Sequence, residues 1–139
     1  MKICLTINSS PWSVFKGGGQ LAVHHLACSL FSKGHQVHVL YSKYPHEQFN
    51  IEVPYEIHWV HHYDFATINL NIFSFSNVLG PLAGKEKFDV IHGNAEEAYW
   101  TGKIAKRNKS TYVFTSHTPD IPITGMLKVE SVSPFLFAF

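Results

Sequence analysis

The stretch KICLTINSSPWSVFKGGGQLAVHHLACSLFSKGHQVHVLY, residues 2–41, decides the fold. Lys2 to Asn8 reads as a short buried strand that ends in a Ser-Ser-Pro turn. Gly17, Gly18 and Gly19 follow. Beyond them Val23, Leu26, Ala27, Leu30 and Phe31 recur at i, i+3, i+4, i+7 and i+8, which predicts a helix with one apolar stripe. Lys33 falls in its last turn, and Gly34 ends it as a left-handed cap. His35 to Tyr41 is the next strand, with Val37, Val39 and Tyr41 on one face. Strand, glycine-rich turn, helix and strand make a βαβ unit, for which parallel strands are expected.

The pattern continues downstream. Tyr55 to Val60 reads as a third strand. Ile68, Ile72, Phe75 and Leu79 follow helical spacing, so residues 65–82 are expected to be a helix closed by Gly80-Pro81. Phe88 to His92 is a fourth strand. Asn94 offers a helix N-cap, with Glu97 three residues on as its capping-box partner. Glu96 and Glu97 at the start of that helix and Lys103, Lys106 and Arg107 near its end complement the helix dipole. Thr111 to Ser116 is a fifth strand. Alternating strands and helices predict an α/β fold: a doubly wound, Rossmann-like parallel sheet with helices on both faces. Ligands in such sheets bind beyond the carboxyl ends of the strands. After Pro119 the periodicity fails, and the chain runs to an apolar Pro-Phe-Leu-Phe-Ala-Phe.

Composition narrows the function. A chain of 139 residues, 45% hydrophobic and 15% charged, suits one globular domain. Eleven Lys and Arg against ten Asp and Glu leave a formal charge of +1, without the basic excess of a nucleic-acid binder. Aromatics at 14% exclude a disordered chain. No apolar run approaches the roughly 20 residues of a membrane span, and MKICLTINSS lacks the pattern of a secretory signal. Cys4 and Cys28 read as reduced thiols of a cytosolic protein.

Three glycines before a helix bring bare amides to a helix amino terminus, an anion site suited to phosphate. The bland reading is a turn that needs glycine for positive φ. The spacing matches neither G-x-G-x-x-G nor a Walker loop, and no acidic residue ends the second strand, where Ser42 and Lys43 stand, so a nicotinamide-dependent oxidoreductase is disfavoured. The adjacent pairs His24-His25 and His61-His62 are poor chelators, and no H-E-x-x-H or C-x-x-C exists, so no metal site is expected. His38 and His58 alternate with apolar neighbours and read as polar-face strand positions. His92 and His117 lie at or just beyond strand ends, where sites are built. Asp89, at a strand start, reads as a turn-positioning residue. No G-x-S-x-G elbow supports a hydrolase.

Taken together, Gly18-Gly19, Val23, Leu26-Ala27, Leu30, Lys33-Gly34-His35, Val37 and Val39 resemble the amino-terminal domain of GT-B glycosyltransferases of family 4. Phe88-Asp89-Val90-Ile91-His92 is similar to the family's Asp-Val-x-His strand, and Phe114-Thr115-Ser116-His117 to its fifth strand. The resemblance covers roughly residues 1–120. It implies transfer of a sugar from a nucleotide-diphosphate donor to an acceptor, with retention and without a metal or other cofactor. Gly17, Gly18 and Gly19 would then approach the diphosphate, His117 would sit beside the transferred sugar as the catalytic residue, and His92 and Asn94 would bind substrate. Asn94 stands where the family often has a second histidine, and Gln20 where an acidic or small residue is common.

The resemblance also implies that residues 1–139 are one acceptor-side domain, cut short and inactive alone, whose carboxy-terminal nucleotide-sugar domain lies on another part of the protein or another subunit. The expected location is cytoplasmic, with Lys103, Lys106, Arg107 and Lys109 offering peripheral contact to an inner membrane surface. Self-association through the apolar carboxy end is a further expectation. The alternative is a non-catalytic α/β module that binds a phosphate or sugar ligand or a partner.

Overall fold

The computed structural model describes residues 1–14, 16–62, 64–65, 68–69, 71–94 and 97–117. The elements are β1 (Lys2–Ile7), α1 (Gly18–Ser32), β2 (Gln36–Lys43), β3 (Glu56–His61), the short β4 (Asp64–Phe65) and β5 (Ile68–Asn69), α2 (Asn71–Glu86), β6 (Val90–Gly93), α3 (Ala98–Asn108) and β7 (Thr111–Phe114). Five strands form one parallel sheet in the order β3-β2-β1-β6-β7, while β4 and β5 pair antiparallel apart from it.

Period-two alternation decides which helix covers which face. Ile3, Leu5, Ile7, Val37, Val39 and Tyr41 point to the side where Val23 and Ala27 of α1 bury them. Cys4, Leu40, Val60 and Ile91 point the other way, onto Phe75, Leu79 and Ala83 of α2 and Ile104 and Ala105 of α3. Helices thus cover both faces, and the fold is the expected doubly wound, Rossmann-like α/β sheet. Cys4 is buried, which pushes its thiol far above the ordinary range, and both cysteines are free.

The direction of strand addition reverses beside β1, through α1 to β2 on one side and out to β6 and β7 on the other. Beyond the carboxyl ends of β1 and β6 lies the switch point at which α/β sheets bind ligands.

Several local expectations change. Residues 65–82 are not one helix: β4 and β5 occupy the first part, and α2 runs from Asn71 through Gly80 and Pro81 to Glu86. Burial of Leu79 and Ala83 on either side of Pro81 holds the turn that proline would otherwise end. The apolar ridge of α1 is narrower than the predicted stripe, because Val23 and Ala27 carry it while Leu26 and Phe31 flank it, exposed. Gly34 ends α1 as expected, at φ +84°. Asp89 positions the start of β6, accepting from the Lys2 amide at 2.7 Å.

Asn94 does not cap α3. The cap position is Glu97, whose carbonyl receives the Trp100 and Thr101 amides and the Thr101 hydroxyl. The Glu97 carboxyl is buried and accepts from Thr6 Oγ1 at 3.3 Å. Lys106 and Arg107 sit in the last turn of α3, whereas Lys103 lies over the rings of Tyr99 and Trp100 at 4.4 and 4.7 Å. Nor is His38 on a polar face. β2 is an interior strand covered on both sides, and His38 is buried there against Phe88. His24 completes a polar chain over the sheet: its Nδ1 meets Tyr55 Oη at 2.7 Å, and Tyr55 Oη meets Tyr41 Oη at 3.1 Å. Burial pushes the Tyr55 hydroxyl up to about 12. The expectations for Glu96 and for the apolar carboxy end lie outside the described residues.

Candidate functional site

The loop after β1 returns to the carboxyl end of the sheet, so α1 starts there with its amino terminus facing the switch point. Gly17 is the N-cap, with extended backbone at φ −141°, and Gly18 and Gly19 are the first turn of the helix. None of the three needs positive φ, so the reading of a strained glycine turn is set aside. The Gly17 amide donates to Gln20 Oε1 at 2.9 Å, and Gln20 Nε2 donates to Asn8 Oδ1 at 3.2 Å. Gln20 therefore ties the start of α1 to the end of β1. Ser42 Oγ in turn donates to the Asn8 carbonyl, which joins β2 to the same corner.

The reason for glycine at position 19 is a close approach. A Cβ there would lie 3.1 Å from Cγ and 3.3 Å from Cδ2 of His117, whereas a Cβ on Gly18 would meet nothing within 4 Å. The His117 ring packs against the first turn of α1, though it follows β7, two strands away from β1 in the sheet. Its Nε2 lies 3.1 Å from Asn94 Oδ1. Asn94 Nδ2 donates to the His92 carbonyl at 3.2 Å, which turns its oxygen outward as an acceptor. An acceptor at that distance places the proton of His117 on Nε2 and leaves Nδ1 as the second functional atom of the ring.

His92 lies on β6 with Nε2 2.8 Å from Thr115 Oγ1. Burial, and then the neighbouring His117, lower its proton affinity below the usual histidine range, so it is neutral at pH 7. Gly93 ends β6 where α3 comes closest: a Cβ there would stand 2.9 Å from the Ala98 Cα and 3.0 Å from Tyr112 Oη. Tyr112 Oη donates to the Ala98 carbonyl at 2.6 Å, fixing the amino terminus of α3 against β7. Beside the corner, Asn8, Ser9, Gln20, Ser42 and Lys43 line an open polar cleft of about 190 Å³ at the carboxyl ends of β1 and β2.

All six predicted site residues thus sit at one end of the sheet. Gly19, His117 and Asn94 form a continuous line, His92 joins it through the Asn94 amide, and Gly17 and Gly18 open the helix beside it. Sequence reasoning missed Gln20, although its place three residues after an N-cap glycine is the spacing of half a capping box. It also missed Thr115, whose pairing with His92 depends on β6 and β7 being neighbours.

A parallel sheet with a helix amino terminus, an amide side chain and an imidazole gathered at its switch point is a Rossmann-like arrangement with a ligand-accessible corner. Residues 16–133 match the model of Glycosyltransferase Family 4, and the chain belongs to that family. No curated protein matches it in sequence. Among solved structures it is similar to sucrose-phosphate synthase from Thermosynechococcus elongatus, with 17% identity and a TM-score of 0.64 over 95% of this chain and 35% of that one. It is also similar to the glycosyltransferase of kitacinnamycin, at 14% identity and TM-score 0.62 over 94% of this chain and 34% of that one. A glycosyltransferase from Rickettsia africae matches at 13% identity and TM-score 0.55, over 94% and 34%. At these identities the likeness is one of fold. The chain spans about a third of the length of each of these three structures. Among the described residues no helix is long and apolar enough to cross a membrane.

Proposed function

We propose that this glycosyltransferase-like domain forms the acceptor-side wall of a cleft in which a sugar passes from a nucleotide-diphosphate donor to an acceptor with its anomeric configuration retained. The observation that carries the reading is the line from Gly19 through His117 to Asn94 at the switch point. The amides of Gly18 and Gly19 meet the diphosphate, where negative charge grows as the bond from the anomeric carbon to the phosphate oxygen breaks. The amino terminus of α1 favours that charge. Gly17 joins them when Gln20 releases its amide.

His117 faces the transferred sugar, its ring oriented by Asn94 and by contact with Gly19, and its Nδ1 accepts a hydrogen bond from a sugar hydroxyl as the bond to phosphate breaks. His92, whose burial lowers its proton affinity, adds no positive charge beside the sugar. No metal ion or other cofactor takes part in the transfer. The polar cleft beside Gln20 and Lys43 is open to an acceptor. The facing wall, which holds the nucleotide, belongs in this reading to a carboxy-terminal domain of the same enzyme, and the 139-residue chain alone turns over no sugar because half a cleft orients nothing. The site of action is the cytoplasm, where exposed Lys103, Lys106, Arg107 and Lys109 are within reach of anionic lipid.

The test has two arms. Pyrophosphate or a nucleoside diphosphate added to the isotope-labelled chain is expected to shift the Gly18 and Gly19 amides and the His117 ring ahead of other signals. Assays with a panel of nucleotide sugars are expected to give no transfer by the chain alone and transfer once a nucleotide-binding domain is supplied, with His117→Ala lowering kcat by about 100-fold or more. Turnover by the chain alone overturns the half-cleft. Shifts confined to surface lysines overturn the diphosphate assignment, and binding without transfer in the completed protein favours the non-catalytic module.

A further inference from the structure

The ten histidines are not spent on the cleft. At the opposite end of the sheet, His38 of β2 and Glu56 of β3 are register partners, and His58 lies two residues beyond Glu56 on the same face. Their rings stack with centroids 5.3 Å apart and planes 12° from parallel. His38 Nδ1 and His58 Nε2 converge to 3.0 Å. One oxygen of the Glu56 carboxylate lies 3.5 Å from His38 Nδ1, and the other lies 3.5 Å from His58 Nε2.

From this convergence we infer that His38, His58 and Glu56 form a binding site for a divalent transition-metal ion of the zinc class, which staples the edge strand β3 to β2. Among the described residues this is the only group of three or more His, Cys, Asp or Glu whose ligand atoms lie within 4.8 Å of one another. Zinc–nitrogen and zinc–oxygen bonds of about 2.0–2.1 Å at tetrahedral angles separate neighbouring ligands by about 3.3–3.4 Å, close to the spacings found here. Two imidazoles and one carboxylate are an ordinary ligand set for zinc, with a water as fourth ligand.

An N–H···N hydrogen bond between the rings accounts for the 3.0 Å contact alone. It leaves the carboxylate 3.5 Å from two nitrogens that hold one hydrogen between them, whereas a cation uses all three groups. Phe88 packs edge-on against His38 at 5.1 Å and holds that ring in place, while Glu56 is 63% exposed and leaves a way in for the ion. The other charged groups nearby largely offset one another, since both Lys2 and Lys85 pair with Glu86 at 2.9 and 3.4 Å. The ion is structural: it lies at the amino-terminal end of the strands, away from the cleft, and does not bear on the chemistry proposed there.

The experiment is calorimetric titration of the metal-stripped 139-residue chain with zinc, with thermal unfolding before and after, and the visible spectrum of the cobalt-substituted form. One site per chain, a raised Tm and a tetrahedral cobalt spectrum are expected. Glu56→Gln and His58→Gln should each weaken binding at least about tenfold and abolish the Tm rise. Glu56→Gln removes only an exposed carboxylate, so its metal-free Tm should match that of the unaltered chain, which separates lost binding from lost folding. Cys28→Ser, which removes the thiol 4.0 Å from His24 Nε2, should bind as before. Absence of binding, binding unchanged in both Gln variants, or binding lost in Cys28→Ser overturns the inference.

Discussion

The imidazole of His117 occupies the space that a side chain on Gly19 would need, with Cγ 3.1 Å from the position of the missing Cβ. Two adjacent glycines in one helical turn therefore have different reasons to be there. Gly19→Ala is expected to push the His117 ring aside by a few tenths of an ångström and lengthen its contact with Asn94. Gly18→Ala meets open space and gains helix propensity, up to about 1 kcal/mol. Ring chemical shifts of His117 with urea unfolding of both variants check the pair. A His117 ring unmoved by Gly19→Ala counts against the packing described.

Gly93 presents a harder constraint. A Cβ there would meet the backbone of Ala98 at 2.9 Å, and backbone cannot rotate away as a side chain can. Gly93→Ala is expected to destabilise the domain by about 3 kcal/mol through forced separation of α3 from β6. Tyr112→Phe, which removes the hydroxyl that bonds the Ala98 carbonyl, should lose about 1 kcal/mol. Denaturant midpoints decide whether the two differ in that order.

Pro81 stands inside α2 and is exposed, so the helix runs on without one of its amide donors. Pro81→Ala restores that donor and removes the ring from the turn before it. A gain of about 2 kcal/mol is expected, after allowance for the greater freedom of the unfolded chain. No gain in thermal unfolding would mean that α2 has adapted to the proline.

His92 and His24 both hold their protons less tightly than the ordinary 6.5, in each case because of burial first and a neighbouring histidine second, His117 and His25 respectively. As pH falls below 6.5 the unfolded chain takes up these protons before the folded one does. Their contribution to stability is therefore complete above about pH 6.5 and lost as pH drops through the lowered folded values. His92→Gln keeps a hydrogen-bonding group opposite Thr115 and removes the titration. The variant should lose less stability than the unaltered chain between about pH 7.5 and 5, as read by urea midpoints. Equal losses would remove His92 from the account.

Much of this was written in the sequence, and the departures have physical causes. β1 and β2 were readable because interior parallel strands are apolar on both faces, and the match of β1, α1 and β2 to a βαβ unit fixed the sheet. The same rule was misapplied at His38, where alternation suggested a wet face on a strand that is covered on both sides. Gly80-Pro81 looked like punctuation because local signals say nothing of Leu79 and Ala83, whose burial carries α2 through it. Asn94 and Glu97 have capping-box spacing, but each side chain found a partner distant in sequence, His117 for one and Thr6 for the other. The places of His92, Asn94 and His117 at strand ends were legible, and that of Gly17, Gly18 and Gly19 at a helix start, yet the contact of Gly19 with His117 was not. It arises only when the start of α1, beside the end of β1, meets the end of β7 across the intervening β6.

That contact makes the corner a mechanical linkage. The first turn of α1 bears on the His117 ring, the ring is tethered to Asn94, and Gln20 anchors the same turn to β1. Any movement of the helix start must be felt at the imidazole, and any rotation of the imidazole must push back on the helix. Whatever settles on the amides of Gly18 and Gly19 therefore also sets the angle at which His117 is presented, without a hinge or a moving loop between them.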